Sequence, residues 1–372
     1  MRKIWISICA SLFFLGLQAQ DIQQKLFEAG FENIQVIESA DTLKIFFEHR
    51  EFRNPLHSMR YAQLLLEEQP EKAILWFPLY HNRPIAKYKA DTYNYSSLNL
   101  EEKAFYKEAN DLYDNYRFHF RIHPDFAARF GYYSNPFQIK LNAIIDTRIY
   151  LTPGLSVQTG ISIPLENRLD AQDMKPRLAP SSLHYFSQPL NHHFLAVSMG
   201  TFYYDRYGLD FQYRYAPLNK RWSFGLESGL TGFYWMNSGS FYAEELNSVY
   251  AVVDAEYRLN YQRLSLRLSA GQFLFEDKGA RIDIIKQFGT VDIGFFAGYT
   301  EAGSSGGFQV AFPIFPGTIY RNRKVEVRTT NEFRWEYSYN NEDPAARKFR
   351  IGIPRLADML RQYHESFLQS FQ

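Results

Sequence analysis

The sequence predicts a mainly β protein: a transmembrane antiparallel β-barrel of about 12 strands, preceded by a small α/β periplasmic domain. Three observations predict it. The first is alternation. Tyr116, Phe118, Phe120 and Ile122 interleave with Arg117, His119, Arg121 and His123, and the same pattern recurs in Leu209–Tyr215 and Phe333–Tyr339. Successive side chains of a strand point to opposite faces, so each run makes a sheet with one apolar and one charged face. The second is the aromatic content of 17%, with 27 Tyr and 33 Phe in 372 residues. That exceeds what a soluble core calls for and suits a membrane–water boundary, where a ring has one apolar and one wet end. The third is a mean hydropathy of −0.37, too polar for a helical membrane protein. It fits a barrel, in which only alternate residues meet lipid and closure leaves no backbone edge unpaired.

Residues 1–20 read as a signal peptide. Arg2 and Lys3 form the basic start, Ile4–Leu17 the apolar stretch, and Ala19 the small residue for cleavage before Gln20. A short membrane anchor is the alternative. Residues 21–114 read as the α/β domain, with a folding or docking role at a barrel mouth. Asp21 is placed to cap a first helix, with Gln24 three residues on and Gly30 to end it. Ile34–Ile37 and Leu43–Phe47 form strands around the turn Ser39-Ala40-Asp41. Asn54 before Pro55 opens a second helix, with Leu56, Met59, Ala62 and Leu66 on one face and Pro70 to stop it. Ala73–Phe77 and Ile85–Lys89 form a hairpin around Asn82-Arg83-Pro84, and a further helix spans Asn99–Tyr113.

Residues 115–340 read as the barrel. Strands are expected at 116–123, 137–150, 154–164, 178–188, 193–203, 207–216, 221–234, 247–258, 262–272, 280–287, 290–299, 304–313 and 325–339. Segment 116–123 is either the first barrel strand or part of the N-terminal domain. Short connections at Thr152-Pro153-Gly154, Pro217-Leu218-Asn219, Asn260-Tyr261 and Gly289-Thr290 alternate with longer ones at 166–177, 235–246 and 300–303. That is the asymmetry of a membrane barrel, with tight periplasmic turns and longer outer loops. In the tail, residues 341–372, Leu356, Met359, Leu360, Tyr363, Phe367 and Phe371 recur at helical spacing. They predict an amphipathic helix over 355–371 that covers a barrel end or lies on the membrane surface.

With the apolar sets facing lipid, Lys140, Asp146, Arg148, Asp210, Arg214, Glu227, Asp254, Glu256, Arg258, Arg267, Arg281, Asp283, Glu332, Arg334 and Glu336 point into the lumen. A one-residue slip would set these charges against lipid, at about 2–4 kcal/mol for each Arg or Lys at mid-depth. Two roles are open to them. One is a network of ion pairs that fills and stiffens the barrel. The other is a polar path for a hydrated sugar chain, with Lys140, Arg148, Asp210, Arg214, Glu256, Arg258, Arg267, Glu332, Arg334 and Glu336 as its lining. About eight strands leave an interior that side chains fill and roughly 16 to 18 leave an open channel, so about 12 leave at most a narrow passage. On this register Phe211→Arg or Leu266→Arg is expected to block membrane assembly and Ser265→Arg to be tolerated.

The net charge of +1 gives no electrostatic case for nucleic acid. The only cysteine, Cys9, lies in the leader, without the neighbours a lipoprotein needs, so the mature chain has no disulfide framework, thiol nucleophile or Cys-based metal site. His192-His193 falls at a turn, and adjacent strand residues face opposite ways. His119 and His123 share a face with Arg117 and Arg121, which repels a cation. Ser198 and His193 are at an odd spacing and so on opposite faces. No phosphate-cradling Gly-rich loop precedes a helix. No enzyme activity, metal or cofactor is expected.

Several turn and strand pieces, in order over roughly residues 130–315, carry a family resemblance. They are Leu151-Thr152-Pro153-Gly154-Leu155-Ser156, Tyr213-Arg214-Tyr215-Ala216-Pro217 with Arg221-Trp222-Ser223-Phe224-Gly225, and Leu268-Ser269-Ala270-Gly271-Gln272-Phe273 with Asp277-Lys278-Gly279-Ala280. Gly306-Gly307-Phe308 leading to Phe312-Pro313-Ile314 completes the set. The chain resembles the YjbH-like family of outer-membrane proteins associated with exopolysaccharide and capsule production. The resemblance implies an outer-membrane barrel, no cofactor, no catalytic residues, and a part in polysaccharide export or assembly. Larger relatives carry two barrel-like units and this chain one, and its helical tail stands where many outer-membrane proteins end on an aromatic strand. The expected location is the outer membrane of a Gram-negative-type envelope, with the N-terminal domain in the periplasm. The expected partners are outer-membrane lipid, a polysaccharide chain and other envelope export proteins, with a homo-oligomer open. The alternatives are a general porin-like channel, a plugged structural or assembly barrel with a docking domain, and a secreted β-sandwich.

Overall fold

A computed structural model describes residues 19–39, 41–66, 72–110, 116–130, 136–237, 240–259, 263–339, 349 and 352–370. The expected leader up to residue 18, the turn residue Ala40, the helix stop at Pro70, the turn Asn260-Tyr261 and Phe371 lie outside them. Strand is the dominant state, 59% against 15% helix, as the alternation predicts.

In the N-terminal part, helix α1 (19–28) already contains Asp21, so Asp21 does not cap it; its carboxylate instead meets Lys25 one turn on, at 2.9 Å. The helix ends as expected at Gly30, whose φ of +100° lets the Phe31 amide reach the Leu26 carbonyl. There follow β1 (Glu32–Glu38), β2 (Thr42–Glu48), α2 (Pro55–Leu65), β3 (Ala73–Tyr80), β4 (Arg83–Pro84), β5 (Lys87–Lys89), β6 (Tyr95–Ser96) and α3 (Leu100–Ala109). They form one sheet in the order β1-β2-β3-β5-β6, with β4 on β3. Strands β2 and β3 are parallel, and α2 supplies the crossover such a pair needs. Asn54 caps α2 through the His57 amide, with Pro55 next to it, as the sequence predicts. Asn99 and Glu102 cap α3 reciprocally.

The second sheet is built from β7 (Phe118–Phe130), β8 (Phe137–Thr152), β9 (Leu155–Asn167), β10 (Arg177–Leu178), β11 (Ser182–Leu190), β12 (His193–Phe202), β13 (Arg206–Tyr215), β14 (Trp222–Asn237) and β15 (Ser240–Ala243). It continues with β16 (Ser248–Leu259), β17 (Leu264–Gln272), β18 (Lys278–Phe288), β19 (Val291–Thr300), β20 (Gly303–Phe312), β21 (Thr318–Arg321), β22 (Val325–Thr329) and β23 (Phe333–Tyr339). Segment 116–123 therefore belongs to the large sheet: β7 pairs antiparallel with β8 from Phe120 to Phe130. The expected strand over 325–339 is two strands. Strand β22 pairs in parallel with β7, whereas β23 pairs antiparallel with β20. Beyond the β22 pairing, β7 and β23 meet through aromatic rings, Phe126 on Trp335 at 5.4 Å and Phe130 on Tyr337 at 5.1 Å between centroids. The connection expected to be long at 300–303 is a tight turn at Glu301-Ala302.

Burial alternates along these strands. On β13, Asp210, Gln212 and Arg214 are each 3% exposed, whereas Leu209 is 43% and Phe211 37% exposed. The charged face is therefore the covered one. Ser265 lies on it at 1% exposure, so the tolerance expected for Ser265→Arg does not hold: an arginine there must displace packed neighbours.

The tail is not one helix. It breaks into α4 (Leu356–Gln362) and α5 (Glu365–Gln369) at Tyr363-His364. The Tyr88 hydroxyl donates to the Tyr363 carbonyl, and the His364 ring accepts the Ser366 amide to start α5. Nor does the tail lie on an outer surface. Leu356, Leu360, Phe367 and Leu368 share one core with Phe31, Phe47 and Trp76 of the first sheet and Phe186 and Phe194 of the second. The tail helices are the wedge that joins the two sheets.

Candidate functional site

The ten predicted lining residues share the charged face, but the structure divides them. Lys140 pairs with Asp170 at 2.6 Å. Asp210 accepts from the Tyr250 hydroxyl and, at 2.9 Å, from the Gln212 side chain. Arg214 meets Asp254 at 2.9 Å, and Arg267 bridges Glu227 at 2.9 Å and Asp254 at 3.1 Å. Gly225 makes room for the first of these pairs, because a Cβ there would fall 2.3 Å from the Asp254 carboxylate and 2.6 Å from the Arg214 guanidinium. Glu256 is taken by Arg361 of α4 at 2.8 Å, and Arg258 by the Gln287 side chain and by Ser366 of α5 at 3.0 Å. Glu336 holds Arg281 at 2.7 Å. Glu332 holds Arg53 at 2.6 Å and Arg334 at 3.0 Å, and Arg334 reaches Asp358 of α4 at 3.3 Å. Two cations of the ten, Arg148 and Arg258, have no carboxylate within ion-pair distance among the described residues; Arg148 donates to His81 Nε2 at 3.2 Å and Gln158 Oε1 at 3.3 Å.

The chain's own tail occupies much of this face. Phe349 packs with Val252, Phe273 and Phe296 near the long-loop end. Arg355 meets Glu227 at 2.9 Å, and the Leu356 amide donates to Gln212 Oε1 at 2.8 Å, halfway along β13. The Glu365 amide reaches the Leu218 carbonyl, at 2.8 Å, in the connection between β13 and β14 at the tight-turn end. The tail thus crosses the charged face from one end of the strands to the other. At the tight-turn end the N-terminal sheet closes over it. The Gly154 amide donates to the His81 carbonyl at 2.8 Å, and Arg53 reaches the Thr290 carbonyl at 3.1 Å and Asp292 at 2.6 Å.

This junction carries its own charge network. Burial alone would raise the Glu32 carboxyl, but Arg50 and His119 together hold it well below the ordinary range. Arg50 binds it at 2.7 Å and His119 at 3.1 Å. Burial, helped by the neighbouring Arg148, pushes the His81 imidazole well below its ordinary value, so it is neutral near pH 7. A guanidinium can only donate, so His81 Nε2 is the acceptor of Arg148 and the ring proton sits on Nδ1, 3.1 Å from Ser156 Oγ.

Beside the tail, the charged face keeps a cavity of about 220 Å³. Four of the ten predicted residues line it: Arg148, Glu332, Arg334 and Glu336. Among the lining residues that the sequence did not single out are His81, Ser156, Gln158 and His184, and Ser198, weighed there only against His193, lines it as well. His184 Nδ1 faces Ser198 Oγ at 2.8 Å, because β11 and β12 pair His184 directly with Ser198. The strand pairing, rather than the spacing to His193, is the signal that finds this contact.

A family model described as exopolysaccharide biosynthesis protein YbjH matches residues 15–311. No curated protein and no solved structure matches the chain.

Proposed function

The chain belongs to the YjbH family of exopolysaccharide biosynthesis proteins, and from that premise we propose that it is an outer-membrane β-barrel, plugged by its own tail, that takes part in exopolysaccharide export or assembly. In this reading the large sheet closes across the β7–β23 seam. The N-terminal sheet covers the periplasmic mouth, and the longer connections face outward. The observation that carries the reading is the uncovered apolar face: Val253, Leu268, Ile282, Phe295 and their neighbours are exposed in rows while the charges behind them are buried. Water would favour the opposite arrangement, whereas lipid favours this one. Among the described residues no helix is long and apolar enough to cross a membrane, so any crossing falls to the strands.

The tail crossing the interior supports an assembly or regulated-export role over a freely open porin. The test is deletion of the gene, with surface polysaccharide measured beside envelope fractionation of the tagged protein. Loss of surface polysaccharide with the protein in the outer-membrane fraction is the expected result. Recovery from the soluble periplasm removes the barrel. Unchanged polysaccharide with misassembled envelope proteins selects a plugged structural barrel instead, a reading that the tail network also favours.

A further inference from the structure

The cavity beside the tail is lined by Arg148, which has no carboxylate partner among the described residues, by neutral hydrogen-bonding groups and aromatic side chains, by carboxylates already paired with arginines (Asp146, Glu332 and Glu336), and by Asp125, which accepts from the Asn142 side chain at 2.9 Å. Arg148 reaches into it with only a neutral imidazole and an amide as partners. Asp146, two residues before it on β8, and Glu48, bonded by Tyr150 two residues after it, are already engaged. Asp146 accepts from Arg121 through Nε at 2.8 Å and Nη2 at 2.6 Å. Glu48 accepts the amides of His81 and Asn82 and the hydroxyls of Tyr116 and Tyr150. A half-buried guanidinium without a counter-charge is costly, and a ligand carboxylate relieves that cost with a paired, charge-assisted contact.

We propose that this cavity binds one acidic sugar residue, whose carboxylate pairs with Arg148. The proposal rests on the exopolysaccharide reading only for taking the ligand to be a sugar; the acidic preference comes from Arg148. Ser156 and Ser198 each face an imidazole, so their hydroxyls are set among partners that suit sugar hydroxyls. Tyr203 supplies an aromatic side chain for the C–H side of a ring. At about 220 Å³ the cavity holds the volume of roughly seven liquid waters, which suits a single sugar ring and not a folded chain.

The test uses the purified full chain in detergent micelles, with D-glucuronate, D-glucose and inorganic phosphate titrated separately and followed by calorimetry and ligand-observed NMR. Glucuronate is expected to bind at least about tenfold more tightly than glucose, the size of one charge-assisted contact. Arg148→Gln should erase that preference and Arg148→Lys retain part of it. Equal binding of the two sugars, no binding of glucuronate, or phosphate binding as tight as glucuronate overturns the proposal. If the Arg148 variants fail to fold, the wild-type preference among the three probes decides alone. Loss of surface polysaccharide in the deletion strain together with no glucuronate binding overturns the pocket and leaves the family role standing.

Discussion

The two sheets of this protein sort the same residue types in opposite ways. In the first sheet and the helices packed on it Phe31, Phe47, Trp76 and Leu56 are fully buried, and exposed positions carry polar groups such as Gln24, Glu28 and Glu101. In the second, Arg214, Arg267, Arg281, Asp254 and Asp283 are buried and Phe295, Leu268 and Val253 are exposed. Backbone chemistry is identical in both, so the difference lies in which side chains each sheet covers. The first obeys the aqueous rule that apolar area leaves water. The second replaces that core with ion pairs roofed by the tail and the N-terminal sheet, and leaves its apolar rows uncovered. Two cores of opposite polarity meet at the tail helices.

The largest expected effect tests whether the charged interior is a true core. Arg281 joins Asp283 at 2.6 Å and Glu336 at 2.7 Å, with its guanidinium over the Phe296 ring. Arg281→Leu leaves two carboxylates buried without their shared cation, which costs about 3–5 kcal/mol. Trp76→Ala in the first sheet costs about as much, roughly 3–5 kcal/mol, through a cavity instead. Urea unfolding of the reconstituted protein checks both. A loss under 1 kcal/mol for Arg281→Leu would show that the ion pairs are surface-like and the comparison mistaken.

The next effect asks which solvent the second sheet faces. Leu64 on α2 is 62% exposed and Leu268 on β17 57% exposed. If water surrounds both, arginine is tolerated at each within about 0.5 kcal/mol. If lipid surrounds Leu268, Leu268→Arg costs about 2–4 kcal/mol near mid-depth while Leu64→Arg stays near zero. Folding into vesicles, read by heat-modifiable gel mobility, separates the two cases.

Much of this opposition is legible in the sequence, because period-two alternation is a local property of the backbone. Interleaving at Leu209–Tyr215 reports both faces of β13 without knowledge of any partner. What is not legible depends on distant groups. The helical spacing of Leu356, Leu360 and Phe367 marks the tail as amphipathic, but its break at Tyr363-His364 is set by Tyr88, which lies far back in the chain. The division of 325–339 into β22 and β23 depends on two different neighbours, β7 and β20. The cavity draws on β7, β8, β9, β11, β12 and the tail at once, so His184 and Ser198 acquire meaning only through cross-strand register.

Acidification should weaken the junction between the sheets in two stages. His49 and His81 are both pushed well below 6.5, first by burial and then by neighbouring arginines. The unfolded chain takes up those protons as pH falls below 6.5 while the folded one resists, so stability drains from that point downward. Glu32 adds the second stage. Its contribution is complete above its ordinary 4.5 and is lost as pH falls from there through the lowered value. Urea midpoints measured from pH 7.5 to 4 should hold to about 6.5 and fall from there, and His81→Gln should flatten the first stage. A midpoint that rises on acidification would contradict this assignment.

The smallest effect tests whether the two cores unfold together. The Asn99 side chain accepts the Glu102 amide at 2.7 Å and the Glu102 carboxylate accepts the Asn99 amide at 3.0 Å, a helix cap within the N-terminal part. Asn99→Ala should cost about 1 kcal/mol. Because Trp76, Phe186, Leu360 and Phe367 share one continuous cluster, the loss should move a single transition seen both by helix signal and by gel mobility of the large sheet. Helix signal lost early with the sheet transition unmoved would mean that the tail wedge holds the sheets in contact without making their stability common. The contrast of two cores would then extend to two independent folding units.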